Sequence, residues 1–127
     1  MKLLLDTSAV LHLASGTLSP PAADALRSAS LAVLPPIVPW ELAIKVKANK
    51  LELPLPPLDY CLTLARRHQL TLSREGLDAA LLCAAADLPL IHRDPFDRVL
   101  IALASREQLV ILTSDRTIPL YPVSTIW

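Results

Sequence analysis

Short, uninterrupted apolar segments separated by helical patterns constrain the fold of this chain more than any other feature. Residues 2–5, 31–34 and 109–113 form such segments, and each has the length of one strand. Strands with continuous apolar character are buried on both faces, which is typical of parallel sheets covered by helices. The alternation of these strands with helices therefore predicts an α/β fold with a central, mainly parallel sheet.

Periodicity and proline positions predict the other elements, because proline is favoured at the first position of a helix. The predicted strands are residues 2–5, 31–34, 70–72, 109–113 and 123–126. The predicted helices are residues 8–14, 20–28, 39–49, 58–68, 74–86 and 95–107. The chain of 127 residues contains no internal repeat and no long linker, so we predict a single domain over residues 1–127.

Composition narrows the classes of function. Twelve Lys and Arg balance twelve Asp and Glu, so a nucleic-acid partner must be bound by a local patch rather than by net charge. The longest apolar run, residues 79–86, is far shorter than the roughly 18 residues that span a bilayer, and the apolar N-terminus is shorter than a signal-peptide core. We therefore expect a cytoplasmic protein without membrane contact, in which Cys61 and Cys83 are buried free thiols.

Two acidic residues follow predicted strands. Asp6 comes directly after strand 2–5, and Asp115 comes one residue after strand 109–113. The carboxyl ends of parallel strands share one edge of the sheet, and ligands bind at that edge. Asp115 also has a structural interpretation as a turn residue, whereas an acid directly after a buried strand has little structural reason to be there. Asp6 is therefore the strongest functional candidate.

Three further acidic residues lie at the starts of predicted helices, which meet the same edge of the sheet. Asp94 precedes the last predicted helix, Asp97 lies in its first turn, and Glu41 lies in the first turn of the helix predicted from residue 39. Each has a structural alternative: Asp94 is a good N-cap, Asp97 complements the helix dipole, and Glu41 pairs with Lys45 at i,i+4.

Together, these five carboxylates predict a metal site. Carboxylates within about 4–6 Å repel one another, and burial increases the repulsion, so such a cluster persists when a divalent cation neutralises it. Oxygen ligands favour Mg²⁺ or Mn²⁺ over zinc, and either ion would activate a water and stabilise a phosphoryl oxyanion. Neighbouring hydroxyl groups are expected to orient the carboxylates; they belong to Thr7, Ser8, Thr113 and Ser114.

The sequence contains no competing catalytic motif. His12, His68 and His92 lack a metal-ligand spacing. We predict a structural or surface role for His92; the alternative is a place near the site, because His92 precedes Arg93 and Asp94. A Gly-rich phosphate loop is absent, which excludes P-loop and dinucleotide-binding proteins. An alternative Mg²⁺ enzyme, a haloacid-dehalogenase-like phosphatase, requires a second Asp two residues after the first, where this chain has Ser8.

Four sequence motifs resemble the PIN-domain family, and within it the VapC-like toxin branch. They are LLLDTSAV at residues 3–10, WELAIK at 40–45, HRDPFDR at 92–98 and LTSD at 112–115. The motifs occur in the family's order and spacing over essentially the whole chain. The resemblance implies a three-layer α/β/α sandwich and a Mg²⁺- or Mn²⁺-dependent endoribonuclease, the toxin of a toxin–antitoxin pair.

The resemblance also implies roles for individual residues. Asp6, Asp97 and Asp115 would hold the metal, and Glu41 would complete the family's acidic catalytic quartet. Asp94 matches a position that is acidic mainly in this branch, and it is a further candidate metal ligand. RNA would be bound by nearby cations; the candidates are Lys45, Lys47, Lys50, Arg93, Arg98 and Arg116.

Members of this family commonly form homodimers and are inhibited by a small antitoxin protein, so both partners are expected besides RNA. The antitoxin is expected to place a cation near Asp6 and Asp97. Apolar residues on two predicted helices are candidates for protein contacts; they are Ala22, Leu26, Trp40 and Ile44. The remaining alternative is a non-catalytic interaction module with the same fold, and the complete acidic quartet argues against it.

Overall fold

The structure, a computed structural model, describes residues 1–72 and 77–127, and these contain five strands, six α-helices and one 3₁₀ helix. The strands are β1 (Lys2–Leu5), β2 (Leu31–Leu34), β3 (Thr71–Leu72), β4 (Val110–Leu112) and β5 (Thr125–Ile126). The helices are α1 (Thr7–Ser15), α2 (Pro20–Ser28), α3 (Ile37–Lys47), α4 (Pro57–His68), α5 (Ala79–Asp87) and α6 (Pro95–Glu107). The 3₁₀ helix spans Ile118–Leu120 and was not predicted from the sequence.

All five strands are parallel and form one sheet in the order β3-β2-β1-β4-β5. The central strand is β1, whose Leu4 is aligned with Val33 of β2 and with Ile111 of β4. The three leucines of β1 have no exposed surface, as expected for a strand covered on both faces. The parallel sheet predicted from the apolar segments is confirmed.

Helices cover both faces of the sheet, so the fold is a three-layer α/β/α sandwich. Helix α6 lies deep in this arrangement: every residue from Arg98 to Ala104 is buried, and the helix packs against both α5 and β4. Asp94 is the N-cap of this helix. The burial of α6 therefore fixes the position of the acidic residues at its start.

Helix α3 begins earlier than its prolines suggest. It starts at Ile37, so Pro39 is the third helical residue and Glu41 lies in the second turn rather than in the predicted first turn. The N–H groups of the whole first turn lack an intrahelical acceptor, so proline is tolerated at several positions there and does not mark the first residue.

Helix α5 begins later than predicted. Its N-cap is Asp78, which accepts a hydrogen bond from the Leu81 amide at 2.8 Å, and the first helical residue is Ala79. Residues 74–76 of the predicted helix lie outside the described residues. The predicted helix also includes Asp78, although a capping aspartate has extended backbone angles and marks the boundary.

The two cysteines differ in environment. Cys61 is buried, as predicted, and burial raises the pKa of its thiol to about 11. Cys83 is exposed, so the prediction of a buried thiol there was wrong. Helix α5 has apolar residues all around its circumference, and only Leu81 and Ala85 face the core.

Across the described residues, every helix is too short or too polar to cross a membrane.

Candidate active site

Asp6 lies at the carboxyl end of β1 and caps the N-terminus of α1. Its Oδ1 accepts hydrogen bonds from the Ala9 amide at 2.8 Å and from Ser8 Oγ at 2.7 Å, and its Oδ2 accepts from Thr113 Oγ1. Only 2% of its surface is exposed, and burial raises the pKa of Asp6 above its usual value despite these hydrogen bonds. The carboxylate is therefore held rigidly in a poorly solvated position.

Asp115 lies beside Asp6 because β1 and β4 are neighbouring strands. Its Oδ1 accepts hydrogen bonds from the amides of Thr117 at 2.6 Å and Ile118 at 3.0 Å. The Asp115 amide donates to Thr113 Oγ1 at 3.0 Å, so the Thr113 hydroxyl links both carboxylate residues. Asp115 therefore acts as the turn residue that the sequence suggested, while its Oδ2 faces the acidic cluster.

Glu41 extends from α3 into the same cluster and is buried. Its Oε1 accepts a hydrogen bond from Thr7 Oγ1 at 2.8 Å, and its Oε2 lies 2.6 Å from Lys45 Nζ. The hydrogen bond to Glu41 raises the pKa of Lys45, against the opposing effect of burial. The i,i+4 pair considered from the sequence is thus formed, and it lies at the edge of the acidic cluster.

Asp94 and Asp97 come from the start of α6. Asp94 Oδ1 accepts from the amides of Phe96 at 2.9 Å and Asp97 at 3.4 Å, which is the predicted N-cap. Burial raises the pKa of Asp97 to about 7; the charges of Asp94, Asp6 and Glu41 add to this rise. The carboxylates therefore lie close enough to repel one another, as the sequence predicted for a shared edge of the sheet.

His92 lies between two of the carboxylates, which is the alternative that the sequence left open rather than the structural or surface role predicted for it. Its Nε2 is 2.8 Å from Asp97 Oδ2 and 3.5 Å from Asp115 Oδ2, although the shorter contact lacks the angles of a hydrogen bond. The Asp94 amide donates a hydrogen bond to His92 Nδ1 at 3.4 Å. His92, Asp97 and Asp115 each have one potential metal-ligand atom, and these three atoms lie within 4.8 Å of one another.

The predicted orienting hydroxyls divide into two groups. Thr7, Ser8 and Thr113 use their hydroxyl groups as donors to the carboxylates of Glu41 and Asp6. Ser114 contributes its amide, which donates to Ser8 Oγ at 3.2 Å. The backbone of the segment after β4 therefore positions the hydroxyl that in turn orients Asp6.

The predicted RNA-binding cations differ from one another in their exposure and in their position relative to the cleft. Lys45 and Arg116 line the acidic cleft, and Arg93 is exposed beside it. Arg98 is a correction, because its guanidinium is buried and is not available to RNA. Its acceptors are the carbonyl groups of Ala86, Leu88, Pro89 and His92 and the hydroxyl of Tyr121. Arg98 thus holds the segment between α5 and α6 in place.

A protein-family profile described as PIN domain matches residues 3–122. The chain belongs to the PIN domain family. PIN domains are in general metal-dependent nucleases, and the sequence motifs that resembled this family are therefore confirmed as a family assignment. No protein with a curated description was found to match the chain.

Two solved structures share the PIN fold of this chain. One is the crystal structure of PAE2754 from Pyrobaculum aerophilum, with a TM-score of 0.58 and 16% identity over 98% of this chain and 90% of that one. The other is FitAB bound to an IR36 DNA fragment, with a TM-score of 0.59 and 16% identity over 98% of this chain and 93% of that one. At this identity the similarity establishes the fold.

The cleft of this PIN domain has a volume of about 580 Å³ and the chemistry of a divalent-cation site. Its acidic lining residues are Asp6, Glu41, Asp94, Asp97 and Asp115. Oxygen donors are the ligands that Mg²⁺ and Mn²⁺ prefer. A cation would also offset the repulsion that raises the pKa of Asp97, so the residues present fit a divalent metal ion.

Proposed function

We propose that this PIN domain is a Mg²⁺- or Mn²⁺-dependent endoribonuclease and the toxin of a toxin–antitoxin pair. The observation that carries the nuclease proposal is the convergence of Asp6, Asp97 and Asp115 on one cleft that two cations also line. Membership of the PIN domain family supports metal-dependent nuclease chemistry. The resemblance of the motifs to the VapC-like branch supports RNA as the substrate and a toxin role.

In the proposed site, Asp6, Asp97 and Asp115 hold the metal, with Asp94 as a further ligand. When bound, the metal lowers the pKa of a water and stabilises negative charge on the phosphoryl oxygens. Asp6 is preorganised for this role, because three hydrogen bonds fix its carboxylate before any ligand binds. His92 Nε2 lies 2.8 Å from Asp97 Oδ2 and 3.5 Å from Asp115 Oδ2, so the ring is placed between two of the proposed metal ligands.

Substrate binding depends on local charge, since the net charge of the chain is zero. Lys45, which is paired with Glu41, and Arg116 line the cleft and are the candidates for contacts with phosphates. Arg93 is exposed in the segment before α6, next in sequence to Asp94, and is a further candidate. A few phosphate contacts of this kind give modest affinity, with selectivity set by the shape of the RNA or by a single-stranded loop.

Cleavage of end-labelled RNA by the purified protein tests the nuclease proposal. We expect endonucleolytic products with Mg²⁺ or Mn²⁺ and none in EDTA, and we expect single-stranded DNA of the same sequence to be cleaved more slowly. Cleavage that persists in EDTA, or that requires zinc, would contradict the metal assignment. Faster cleavage of DNA would contradict RNA as the substrate, an outcome worth testing because FitAB was solved with a DNA fragment.

The substitution Asp6→Asn tests whether the observed cleavage comes from the acidic cluster or from a contaminating nuclease. We expect it to abolish cleavage while the fold is retained, because removing one charge relieves the repulsion within the cluster. Asp87→Asn is the matched control, since Asp87 is exposed at the end of α5 and does not line the cleft. Equal activity of the two variants would contradict the assignment.

The proposed homodimer requires an exposed apolar surface. One of the apolar residues that the sequence offered for this contact is buried in the structure, and other apolar residues are exposed. Ala22 is buried in the monomer and is unavailable for such a contact, although Trp40 and Ile44 remain exposed. Helix α5 also presents apolar side chains to solvent; Leu82 is 47% exposed, and Cys83 is exposed. A helix that is apolar all around is normally covered, so we place the dimer contact on α5.

Light scattering and cross-linking test this contact. We expect a dimeric mass that Leu82→Lys converts to a monomeric mass, whereas Leu58→Lys, at a leucine of α4 that is 59% exposed, leaves the mass unchanged. A short bis-maleimide is expected to cross-link two chains through Cys83. A monomeric mass for the unmodified protein would contradict the homodimer.

The proposed antitoxin is a small protein that crosses the acidic cleft and places a cation near Asp6 and Asp97. A positive side chain there offsets the same repulsion that a metal offsets. Co-expression with the protein encoded beside this chain tests the proposal: the complex is expected to show neither cleavage nor binding of Mn²⁺. Inhibition with unchanged Mn²⁺ binding would contradict occlusion of the carboxylates.

A further inference from the structure

Trp40 is a large, exposed aromatic side chain on α3 that does not itself line the acidic cleft. It is 56% exposed, whereas Tyr60 and Tyr121 are buried. It directly precedes Glu41, which lines the cleft. An exposed aromatic ring next in sequence to a cleft residue is available for contact with a ligand bound in the cleft.

A second aromatic side chain supports the indole ring. Trp40 and Phe96 meet edge to face, with ring centroids 5.3 Å apart and an interplanar angle of 71°. Phe96 is half-buried and directly precedes Asp97, another residue that lines the cleft. Each ring is therefore adjacent in sequence to a cleft carboxylate, and the contact restrains the indole while more than half of Trp40 stays open.

Positive charge lies on the same helix as the exposed indole. Lys45 follows Trp40 by five residues in α3 and lines the cleft. Arg116 lines the cleft from the segment after β4. An exposed aromatic ring combined with cations along a groove is the arrangement by which proteins hold single-stranded nucleic acid. The ring takes the face of an unpaired base, and the cations take the phosphates.

We propose that Trp40, braced by Phe96, stacks on an unpaired base of the RNA strand that enters the cleft. This inference rests on the proposed nuclease function. It assigns Trp40 a role in substrate positioning rather than in the chemical step. A duplex offers no free base faces at such a ring, so stacking selects single strands.

Steady-state cleavage of a single-stranded RNA separates stacking from general apolar contact. Trp40→Leu keeps an apolar side chain but removes the flat ring, and we expect its KM to rise at least about five-fold with a smaller change in kcat. Trp40→Phe keeps a ring and is expected to restore most of the affinity. Ile44→Ala is the matched control, because Ile44 lies one turn along α3 and is 41% exposed.

Fluorescence reports stacking directly. Trp127→Phe leaves Trp40 as the sole tryptophan and keeps a ring against His12, whose centroid lies 4.9 Å from that of Trp127. In the metal-free protein, where cleavage does not compete, a short oligoadenylate is expected to quench Trp40 emission. An abasic oligomer of the same length and a blunt duplex are expected to quench it far less.

The outcomes distinguish this inference from the proposed function. Cleavage of RNA by the unmodified protein, with unchanged KM in Trp40→Leu and no quenching by oligoadenylate, would overturn the stacking role and leave the nuclease proposal standing. Failure of the unmodified protein to cleave RNA would overturn both. Equal losses in Trp40→Leu and Ile44→Ala, with a change in mass by light scattering, would identify the surface as a protein contact and overturn stacking.

Discussion

Thr113 and Asp6 are 107 residues apart in sequence and are joined by a hydrogen bond from Thr113 Oγ1 to Asp6 Oδ2 at the carboxyl ends of two adjacent strands. The same hydroxyl accepts a hydrogen bond from the Asp115 amide at 3.0 Å. One buried side chain thus positions two residues of the acidic cluster. The geometry of the cluster depends on the pairing of β1 with β4 and not on local sequence alone.

Thr113→Val tests this dependence, because valine keeps the shape of threonine and removes the hydroxyl. We expect metal affinity to fall by about 10- to 100-fold, the usual effect of losing a group that orients a ligand. The free energy of unfolding should fall by about 1–3 kcal/mol, because buried polar groups lose a partner. Calorimetric Mn²⁺ titration and urea unfolding measure the two effects.

Thr125→Val is the control for that experiment, since Thr125 lies in β5 and does not line the cleft. An unchanged Mn²⁺ affinity in Thr113→Val would show that the hydroxyl does not position the ligands.

The raised pKa of Asp97 predicts a pH dependence of stability. Its pKa is about 7 in the folded chain and 3.8 in the reference state, so the folded state binds this proton more tightly than the unfolded state. The metal-free protein should therefore lose stability as the pH rises toward and through about 7, and regain it as the pH falls toward about 4. Thermal unfolding in EDTA between about pH 5 and about pH 8 measures this.

Asp97→Asn removes the ionisable group, so its unfolding temperature should vary less with pH and exceed that of the unmodified protein at about pH 8. Asp87→Asn, outside the cleft, should retain the original dependence. A metal-free protein whose stability rises between about pH 5 and about pH 8 would contradict the expected direction of this pH dependence.

Asp94 and Asp6 are expected to differ in their tolerance of asparagine. Asparagine is about as good an N-cap as aspartate, so Asp94→Asn should preserve the bonds to the amides of Phe96 and Asp97 and retain part of the activity. Asp94→Ala should lose about 1 kcal/mol of stability with the cap. Cleavage assays and urea unfolding measure both, and equal losses of activity in Asp94→Asn and Asp6→Asn would contradict the ranking.

Arg98 and Arg116 should respond to substitution in opposite ways. Arg98→Ala leaves several carbonyl groups without their charged donor and should cost at least about 3 kcal/mol of stability. Arg116→Ala should leave stability within about 0.5 kcal/mol, because this side chain is exposed, and should raise KM for RNA. Urea unfolding and steady-state kinetics separate the two; an unchanged stability in Arg98→Ala would refute its role in holding the segment between α5 and α6.

The two thiols should differ in reactivity. Cys83 is exposed in the single chain and should react with a maleimide at neutral pH in the folded Leu82→Lys variant, which is expected to be monomeric, whereas Cys61 is buried, and the raised pKa of its thiol, about 11, keeps it protonated. Mass spectrometry should find one label per native chain and a second only after denaturation. Rapid labelling of Cys61 in the folded protein would contradict its burial.

Some features of the site follow from the sequence because they depend on general rules. Continuous apolar segments predict parallel strands, and parallel strands end at one edge, so the proximity of Asp6 and Asp115 was predictable from two short motifs. The N-cap role of Asp94 was predictable because a capping bond joins residues that are adjacent in the chain. The metal-binding roles of these residues remain predictions for the experiments above.

The directions of the His92 and Arg98 side chains could be determined only from the tertiary structure. Both belong to the HRDPFDR motif, yet the ring of His92 enters the acidic cluster, whereas the guanidinium of Arg98 turns away and binds carbonyl groups of the preceding segment. The exposure of Cys83 was likewise undecided, because a helix that is apolar all around does not indicate which face meets the core. Local sequence determines which backbone elements form; the direction of each side chain depends on neighbours that are distant in sequence, and only the packed fold brings those neighbours together.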